Sequence, residues 1–328
     1  MKRITPLFVL FLFVHFATAP LQAEVLRGTQ GMVASRSDIA SEVGSRILAD
    51  GGNAIDAAVA TAFALAVTYP SAGNIGGGGF TIIALANGEV YAQDSREKAP
   101  GAAHRDMFLD SNGDVDRNLA LNSLQASGVP GSVDGLLDAL DRFGTMTREQ
   151  VLAPAIALAE DGFVLNEDLA NQFRENLEAF REYPASLAVF TKNGEPYVAG
   201  DTWKQPDLAK TLRLISEHGR DGFYAGETAD LIVAEMERNN GLITHDDLAS
   251  YKSVWREPVH GTYRGYDIWS MPAPSSGGVL LVQMLNMLEP YDLGALGYGS
   301  VDTVHLMIEA QRRAYADRAE YLGDPDFV

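Results

Sequence analysis

Residues 74–94 read NIGGGGFTIIALANGEVYAQD, and this stretch decides which fold the chain can adopt. Apolar, β-branched and aromatic residues lie on both sides of Asn87-Gly88, a pair that favours a two-residue hairpin turn. We therefore predict antiparallel strands at residues 80–86 and 89–94. A dinucleotide-binding unit would need a strand before the glycines and a helix after them, and the glycines of this stretch do not have the spacing that such a unit requires. The order of these elements excludes that class of protein.

Four consecutive glycines, residues 76–79, precede the first predicted strand. Each glycine loses more backbone entropy on folding than any other residue, so the run requires a physical reason. Two explanations stay open: the backbone passes very close to another part of the protein, or the loop moves.

The rest of the chain has mainly helical periodicity. Residues 54–67 are apolar on all sides, which is typical of a helix buried between a sheet and another layer. We also predict a helix that begins at Asp38 and ends before Gly51, and a further strand at residues 263–271. The other predicted helices are residues 132–143, 147–161, 169–180, 208–218, 228–238, 279–288 and 301–322. Since no internal repeat or low-complexity linker divides the chain, we expect one continuous domain over residues 24–328.

The composition excludes several classes of function. The chain has 328 residues and a formal net charge of −19, with no basic cluster, so we expect no nucleic-acid partner. It contains no Cys, which removes thiolate catalysis, iron–sulfur clusters, disulfides and thiolate zinc sites. The histidines lack any ligand spacing, and no metal site is predicted.

Two local patterns resemble functional sites but have simpler interpretations. Residues 110–116 resemble a calcium loop, yet Val115 stands where an EF-hand needs Gly and Leu121 where it needs Glu, so we predict an acidic surface turn. Thr244 precedes His245 and could be a nucleophile beside a base. We predict instead that it caps a helix with acidic residues in the first turn.

The N-terminus has the pattern of an export signal. Lys2 and Arg3 are followed by the apolar run at residues 7–14, which is too short to span a bilayer, and then by small residues up to Ala23. We predict that residues 1–23 are a signal peptide and that the protein is exported to a periplasm or the extracellular medium.

Arg96 lies in a charged run directly after the second predicted strand. Judged from the residues alone, an arginine in such a run is most often a solvated surface group.

Six segments, taken together and in this order, resemble the N-terminal, large-subunit part of bacterial γ-glutamyltranspeptidases. They are GGNAIDAA at 51–58, NIGGGGF at 74–80, REKAP at 96–100, GVPG at 128–131, MPAPSSGG at 271–278 and YADRAEYLGDP at 315–325. A collinear set of this length is far more specific than a single glycine motif.

The resemblance implies an α/β (α+β) fold of the N-terminal-nucleophile hydrolase type, a four-layer αββα sandwich with antiparallel sheets, incomplete in this chain. It implies a precursor that cuts itself into a heterodimer, so that a Thr becomes the N-terminus of the small subunit. That Thr attacks the γ-glutamyl amide of glutathione or a similar donor, with its own amine as base, and water, an amino acid or a dipeptide accepts the glutamyl group. No cofactor or metal is implied.

Within this chain, the resemblance assigns one site residue. Arg96 matches the family arginine that binds the α-carboxylate of the γ-glutamyl group. No catalytic residue is expected here, because the nucleophilic Thr would lie beyond Val328, and the chain alone is expected to be inactive. Alternatives stay open: a related cephalosporin or glutaryl acylase, a polyglutamate-cleaving enzyme, or a non-catalytic periplasmic glutamate-binding protein.

Overall fold

The structure is a computed structural model that describes residues 27–327. The predicted signal peptide at residues 1–23 lies outside these described residues. The helices are α1 Asp38–Ala49, α2 Ala54–Thr68, α3 Arg117–Asn122, α4 Ser132–Phe143, α5 Arg148–Asp161, α6 Glu167–Glu175, α7 Leu177–Glu182, α8 Pro184–Phe190, α9 Pro206–His218, α10 Asp221–Tyr224, α11 Gly226–Arg238, α12 His245–Ser250, α13 Gly277–Leu288, α14 Leu293–Leu296 and α15 Val301–Tyr321. The strands are β1 Phe80–Ala84, β2 Val90–Asp94, β3 Phe163–Val164, β4 Thr191–Lys192, β5 Glu195–Pro196, β6 Thr202–Trp203, β7 Val254–Arg256, β8 Val259–Tyr263 and β9 Tyr266–Ser270.

The buried helix α2 organises the core. Asn53 caps its N-terminus, where the Asn53 side chain accepts from the backbone N–H of Asp56 and the Asp56 side chain accepts from the backbone N–H of Asn53. This reciprocal cap satisfies two backbone donors that a helix start otherwise leaves without partners. Phe63, Ala60 and Ala64 are fully buried, and the helix packs against α1, α4 and α5. The predicted helix is therefore confirmed, but its main neighbours are other helices and not the sheet that was expected to cover it.

The predicted antiparallel pairing of the hairpin strands is confirmed, but the turn is one residue longer than predicted. Strands β1 and β2 pair antiparallel from Phe80 opposite Asp94 to Ala84 opposite Val90. The turn differs from the predicted two-residue Asn-Gly turn. The backbone N–H of Leu85 donates to the Glu89 carbonyl at 2.8 Å, so the loop has three residues, 86–88, and of these only Gly88 has a positive φ, 91°. Strand β1 ends two residues earlier than predicted. The sheet gains a third strand, β7, beside β2, which the sequence analysis did not predict.

The predicted strand at residues 263–271 is wrong as a single element. The chain reverses at Arg264-Gly265, where both residues have positive φ, 50° and 83°, so two strands, β8 and β9, form an antiparallel pair. The turn was missed because Arg rarely adopts the left-handed conformation. The predicted helix at residues 169–180 is likewise divided, since α6 ends at Glu175 and α7 begins at Leu177.

An aromatic cluster closes the helical side of the core. Trp203 is fully buried and contacts Phe163, Phe173 and Phe190 at ring-centroid distances of 4.8 to 5.9 Å. The indole N–H of Trp203 donates to the Val189 carbonyl at 3.0 Å, so its polar atom is satisfied despite burial. Among residues 27–327, none of the helices has the length and apolar character needed to cross a bilayer.

Candidate functional site

Arg96 lies two residues beyond the end of β2, at the wall of a surface cleft of about 550 Å³. Among residues 27–327, its guanidinium makes no hydrogen bond and no ion pair. The cleft is also lined by Asp94, Glu97, Lys98, Ala99, Arg256, Pro274, Asp324, Asp326 and Phe327. An exposed guanidinium at a cleft wall is available to bind an anion.

The backbone of Arg96 is held on both sides by side chains. Its N–H donates to Oδ1 of Asp94 at 3.1 Å, and its carbonyl accepts from the Tyr251 hydroxyl at 2.8 Å. The second oxygen of Asp94, Oδ2, accepts from Nε of Arg256 at 2.8 Å. Asp94 is 7% exposed and the Arg256 side chain 14%, so this ion pair is nearly buried. Its two charges offset each other. Among the described residues, Arg96 makes no ion pair with the other carboxylates that line the cleft, Glu97, Asp324 and Asp326.

The Tyr251 hydroxyl keeps its proton at neutral pH. Burial, above all, and then the neighbouring Tyr224 and carboxylates raise the pKa of Tyr251 well above its ordinary value. A neutral phenol keeps its proton, so the bond to the Arg96 carbonyl is not lost by titration.

The four-glycine turn lies directly against the segment that carries Arg96. Gly79 and Ser95 exchange backbone hydrogen bonds of 3.2 and 3.0 Å. A Cβ at Gly78 would lie 2.5 Å from the carbonyl oxygen of Ser95 and 2.7 Å from the backbone nitrogen of Glu97. At Gly79, a Cβ would meet nothing within 4 Å. Close approach of the backbone to the Arg96 segment therefore accounts for the glycine at position 78.

The two simpler interpretations made from the sequence are confirmed. Thr244 caps α12, where its Oγ1 accepts from the backbone N–H of Asp247 at 3.2 Å and the Asp247 carboxylate accepts from the backbone N–H of Thr244 at 2.9 Å. Asp110 Oδ1 accepts from the backbone N–H groups of Asn112 and Asp114 at 2.8 and 3.0 Å, which form a local turn. These hydrogen bonds hold the pKa of Asp110 below its ordinary value. In the described part of the chain, no three His, Asp or Glu side chains are arranged to hold a metal ion.

Three residues that build the site were not singled out from the sequence. Asp94, Tyr251 and Arg256 all support the Arg96 segment, but the last two lie 155 and 160 positions away along the chain. No spacing rule connects residues so far apart. Of the three, Asp94 alone had a local feature that could have drawn attention to it, because it is an acidic residue at the last position of a predicted strand.

A solved structure with the same fold defines the class of protein. The crystal structure of Helicobacter pylori γ-glutamyltranspeptidase matches with a TM-score of 0.91 at 50% sequence identity, covering 93% of this chain and 88% of that one. The chain therefore has the N-terminal-nucleophile hydrolase fold, with antiparallel sheets packed against helices, as the resemblance implied.

Sequence comparison defines the family. The family model described as Gamma-glutamyltranspeptidase matches residues 40–328. A relative from Escherichia coli K12 named Glutathione hydrolase proenzyme is 53% identical over 304 residues, which cover 92% of this chain and 52% of the relative. Another, named Acylase ACY 1 proenzyme, from Pseudomonas sp. SE83, is 43% identical and covers 92% of this chain and 55% of the relative. The chain belongs to the γ-glutamyltranspeptidase family and spans about half the length of the curated relatives it matches, corresponding to the large-subunit portion.

Proposed function

We propose that the full-length protein hydrolyses and transfers γ-glutamyl groups, with glutathione as a donor, and that Arg96 binds the α-carboxylate of the donor. The observation that carries this proposal is the Arg96 guanidinium itself. It faces a cleft without a partner among the described residues, while its own backbone is fixed on both sides.

The chemistry of the cleft suits an amino-acid carboxylate. A guanidinium presents parallel N–H donors that match the two oxygens of a carboxylate, and the resulting pair is stronger than a neutral hydrogen bond. The adjacent cation, Arg256, is already paired with Asp94 at 2.8 Å, so Arg96 is the arginine left to bind the substrate. A cleft of about 550 Å³ has room for a γ-glutamyl group.

The reaction is proposed to use a Thr in the part of the protein beyond this chain. Its hydroxyl oxygen would attack the γ-carbonyl carbon while its own α-amine takes the proton. The proton then passes to the departing amide nitrogen, and an ester links the glutamyl group to Thr. Water or the amine of an acceptor amino acid or dipeptide breaks that ester and restores the hydroxyl. Arg96 holds the donor in place for both steps but exchanges no proton.

The proposed partner is the protein's own small subunit after self-cleavage. Strand β1 lies at the edge of its sheet, where Phe80 and Ile82 are each 38% exposed. An edge strand with exposed apolar side chains favours pairing with further strands. The name of the Escherichia coli relative, a proenzyme, supports processing of a precursor.

A donor comparison tests the proposed function. We expect the full-length, processed protein to hydrolyse γ-glutamyl-p-nitroanilide and to use glutaryl-p-nitroanilide at least about 100-fold less efficiently. The glutaryl compound keeps the carboxylate but lacks the α-amine, and a site built to bind both groups is left with unpaired acceptors when the amine is missing. Release of nitroaniline measures both rates. Preference for the glutaryl compound would favour the acylase alternative, and tight glutamate binding without turnover would favour a binding protein.

We further propose export, with removal of residues 1–23. The positive N-terminus and the short apolar run support it. The mature protein is expected to begin at Glu24, and mass spectrometry of its N-terminal peptide checks this. Recovery of a mature protein that still begins at Met1 would contradict the proposal.

A further inference from the structure

We infer that Tyr251 is a positioning residue for Arg96: its hydroxyl fixes the Arg96 peptide and thereby the point from which the guanidinium reaches a γ-glutamyl substrate. The inference rests on the proposed role of Arg96 in binding that substrate. Tyr251 itself need not touch the substrate.

The Tyr251 hydroxyl reaches Arg96 through a space that only glycine leaves open. It donates to the Arg96 carbonyl oxygen at 2.8 Å, although the two residues are 155 positions apart. A Cβ at Gly131 would lie 2.1 Å from that hydroxyl oxygen and 2.1 Å from the Ser95 carbonyl oxygen. The absence of a side chain at Gly131 therefore lets the phenol approach the Arg96 segment.

Tyr251 is held in place at its ring and at its backbone. Tyr251 is 2% exposed and stacks on Tyr224 with the ring planes 4° apart and the centroids 5.8 Å apart. This stacking needs the ring of Tyr224 but not its hydroxyl, and the backbone carbonyl of Tyr251 accepts from Nη2 of Arg220 at 2.6 Å. A phenol held in this way can impose its own position on the peptide that it binds.

The backbone of Arg96 matters here because it is the part of the residue that hydrogen bonds hold in place. Among the described residues, no hydrogen bond or ion pair orients its guanidinium. Its location before the substrate binds is therefore set by the Arg96 peptide, which Asp94 holds at the N–H and Tyr251 at the carbonyl. A binding group must lie within a fraction of an ångström of its productive position, and a shift of 1 Å can cost about 100-fold in rate.

Tyr251→Phe in the full-length protein tests the inference. The substitution retains the ring and removes the hydroxyl, which leaves the Arg96 carbonyl without its donor. We expect KM for γ-glutamyl-p-nitroanilide and the inhibition constant of L-glutamate each to rise about 5- to 20-fold, with kcat changed by less than about 2-fold. L-glutamate reports binding alone, because it presents the same α-carboxylate without a scissile amide.

Tyr224→Phe is the matched control. Tyr224 is 1% exposed, and its hydroxyl also donates to a backbone carbonyl, but that carbonyl belongs to Pro130. We expect Tyr224→Phe to lower the unfolding midpoint about as much as Tyr251→Phe while raising KM less. Equal effects of the two variants on KM would mean that Tyr251 acts only through general stability, which overturns the inference.

A double-mutant cycle separates this inference from the proposed function. If Tyr251 acts through Arg96, then Tyr251→Phe should change the inhibition constant of L-glutamate by less than about 2-fold in an Arg96→Ala background. The positioning role alone is overturned if Tyr251→Phe weakens glutamate binding as much in the Arg96→Ala background as in the wild type. It is also overturned if Tyr251→Phe leaves glutamate binding by the wild type unchanged while Arg96→Ala weakens it. Unimpaired binding in Arg96→Ala itself overturns the role of Arg96 and the inference with it.

Discussion

Replacing Arg96 with Ala in the full-length, processed protein should lower kcat/KM for γ-glutamyl donors by about 30- to 5,000-fold, equivalent to about 2 to 5 kcal/mol. The loss is large because truncation leaves the substrate α-carboxylate in the cleft without its charged partner. The other arginine that lines the cleft, Arg256, cannot substitute for it while Arg256 is paired with the nearly buried Asp94. Steady-state kinetics with γ-glutamyl-p-nitroanilide measure the effect.

Two further variants define what the Arg96→Ala result means. Arg96→Lys should recover only part of the loss, because an ammonium has the charge but not the two parallel donors of a guanidinium. Arg181→Ala is the matched control, since Arg181 is a surface arginine on α7 whose one ion pair within residues 27–327 is with Glu178 of the same helix. Its kinetics should equal those of the wild type. If Arg96→Ala has the kinetics of the wild type, Arg96 is a solvated surface residue and does not bind the substrate.

The elements that the sequence predicted correctly are those whose signal is local. Asn87-Gly88 indicates a chain reversal by its own conformational preference, and the chain does reverse there with a positive φ at Gly88, although the loop has three residues, not two. The helix at residues 54–67 was predicted because an apolar residue on every side requires burial, whatever covers it. Both signals lie within a few residues of the element that they determine.

The elements that were missed depend on distant partners or on strain. Strand β7 has three residues and forms because β2 offers it a free edge about 160 positions earlier in the chain. The Arg264-Gly265 turn requires a positive φ at an arginine, a cost of order 1 kcal/mol that the hairpin of β8 and β9 compensates. Neither property can be read from a window of neighbouring residues.

The surroundings of Arg96 could not be predicted from the residues alone. The residue is exposed and unpaired in the described structure, as a solvated surface arginine would be. What distinguishes it is its surroundings, namely a backbone held at both polar atoms and a neighbouring cation already neutralised. Such surroundings come from Asp94, Tyr251 and Arg256 together and exist only in the fold.

Residues 24–328, expressed alone, are expected to show no hydrolysis of γ-glutamyl-p-nitroanilide and to self-associate. The expectation of association rests on apolar surface. Phe80 and Ile82 are exposed on the edge strand β1, and Val304, Met307 and Ile308 are exposed on α15. Contiguous apolar surface and open strand edges favour association between copies when no other partner covers them.

The expectation of inactivity rests on the missing nucleophile. The mature N-terminal residue would be Glu24, whose amine has no adjacent hydroxyl to activate, and Thr244 has its hydroxyl engaged in the cap of α12. Sedimentation velocity measures the association and nitroaniline release measures turnover. Coexpression with the remaining segment of the full-length protein is the control and should restore both a defined heterodimer and activity. A monodisperse, active product from residues 24–328 alone would contradict the proposal that the nucleophile and the covering strands lie outside this chain.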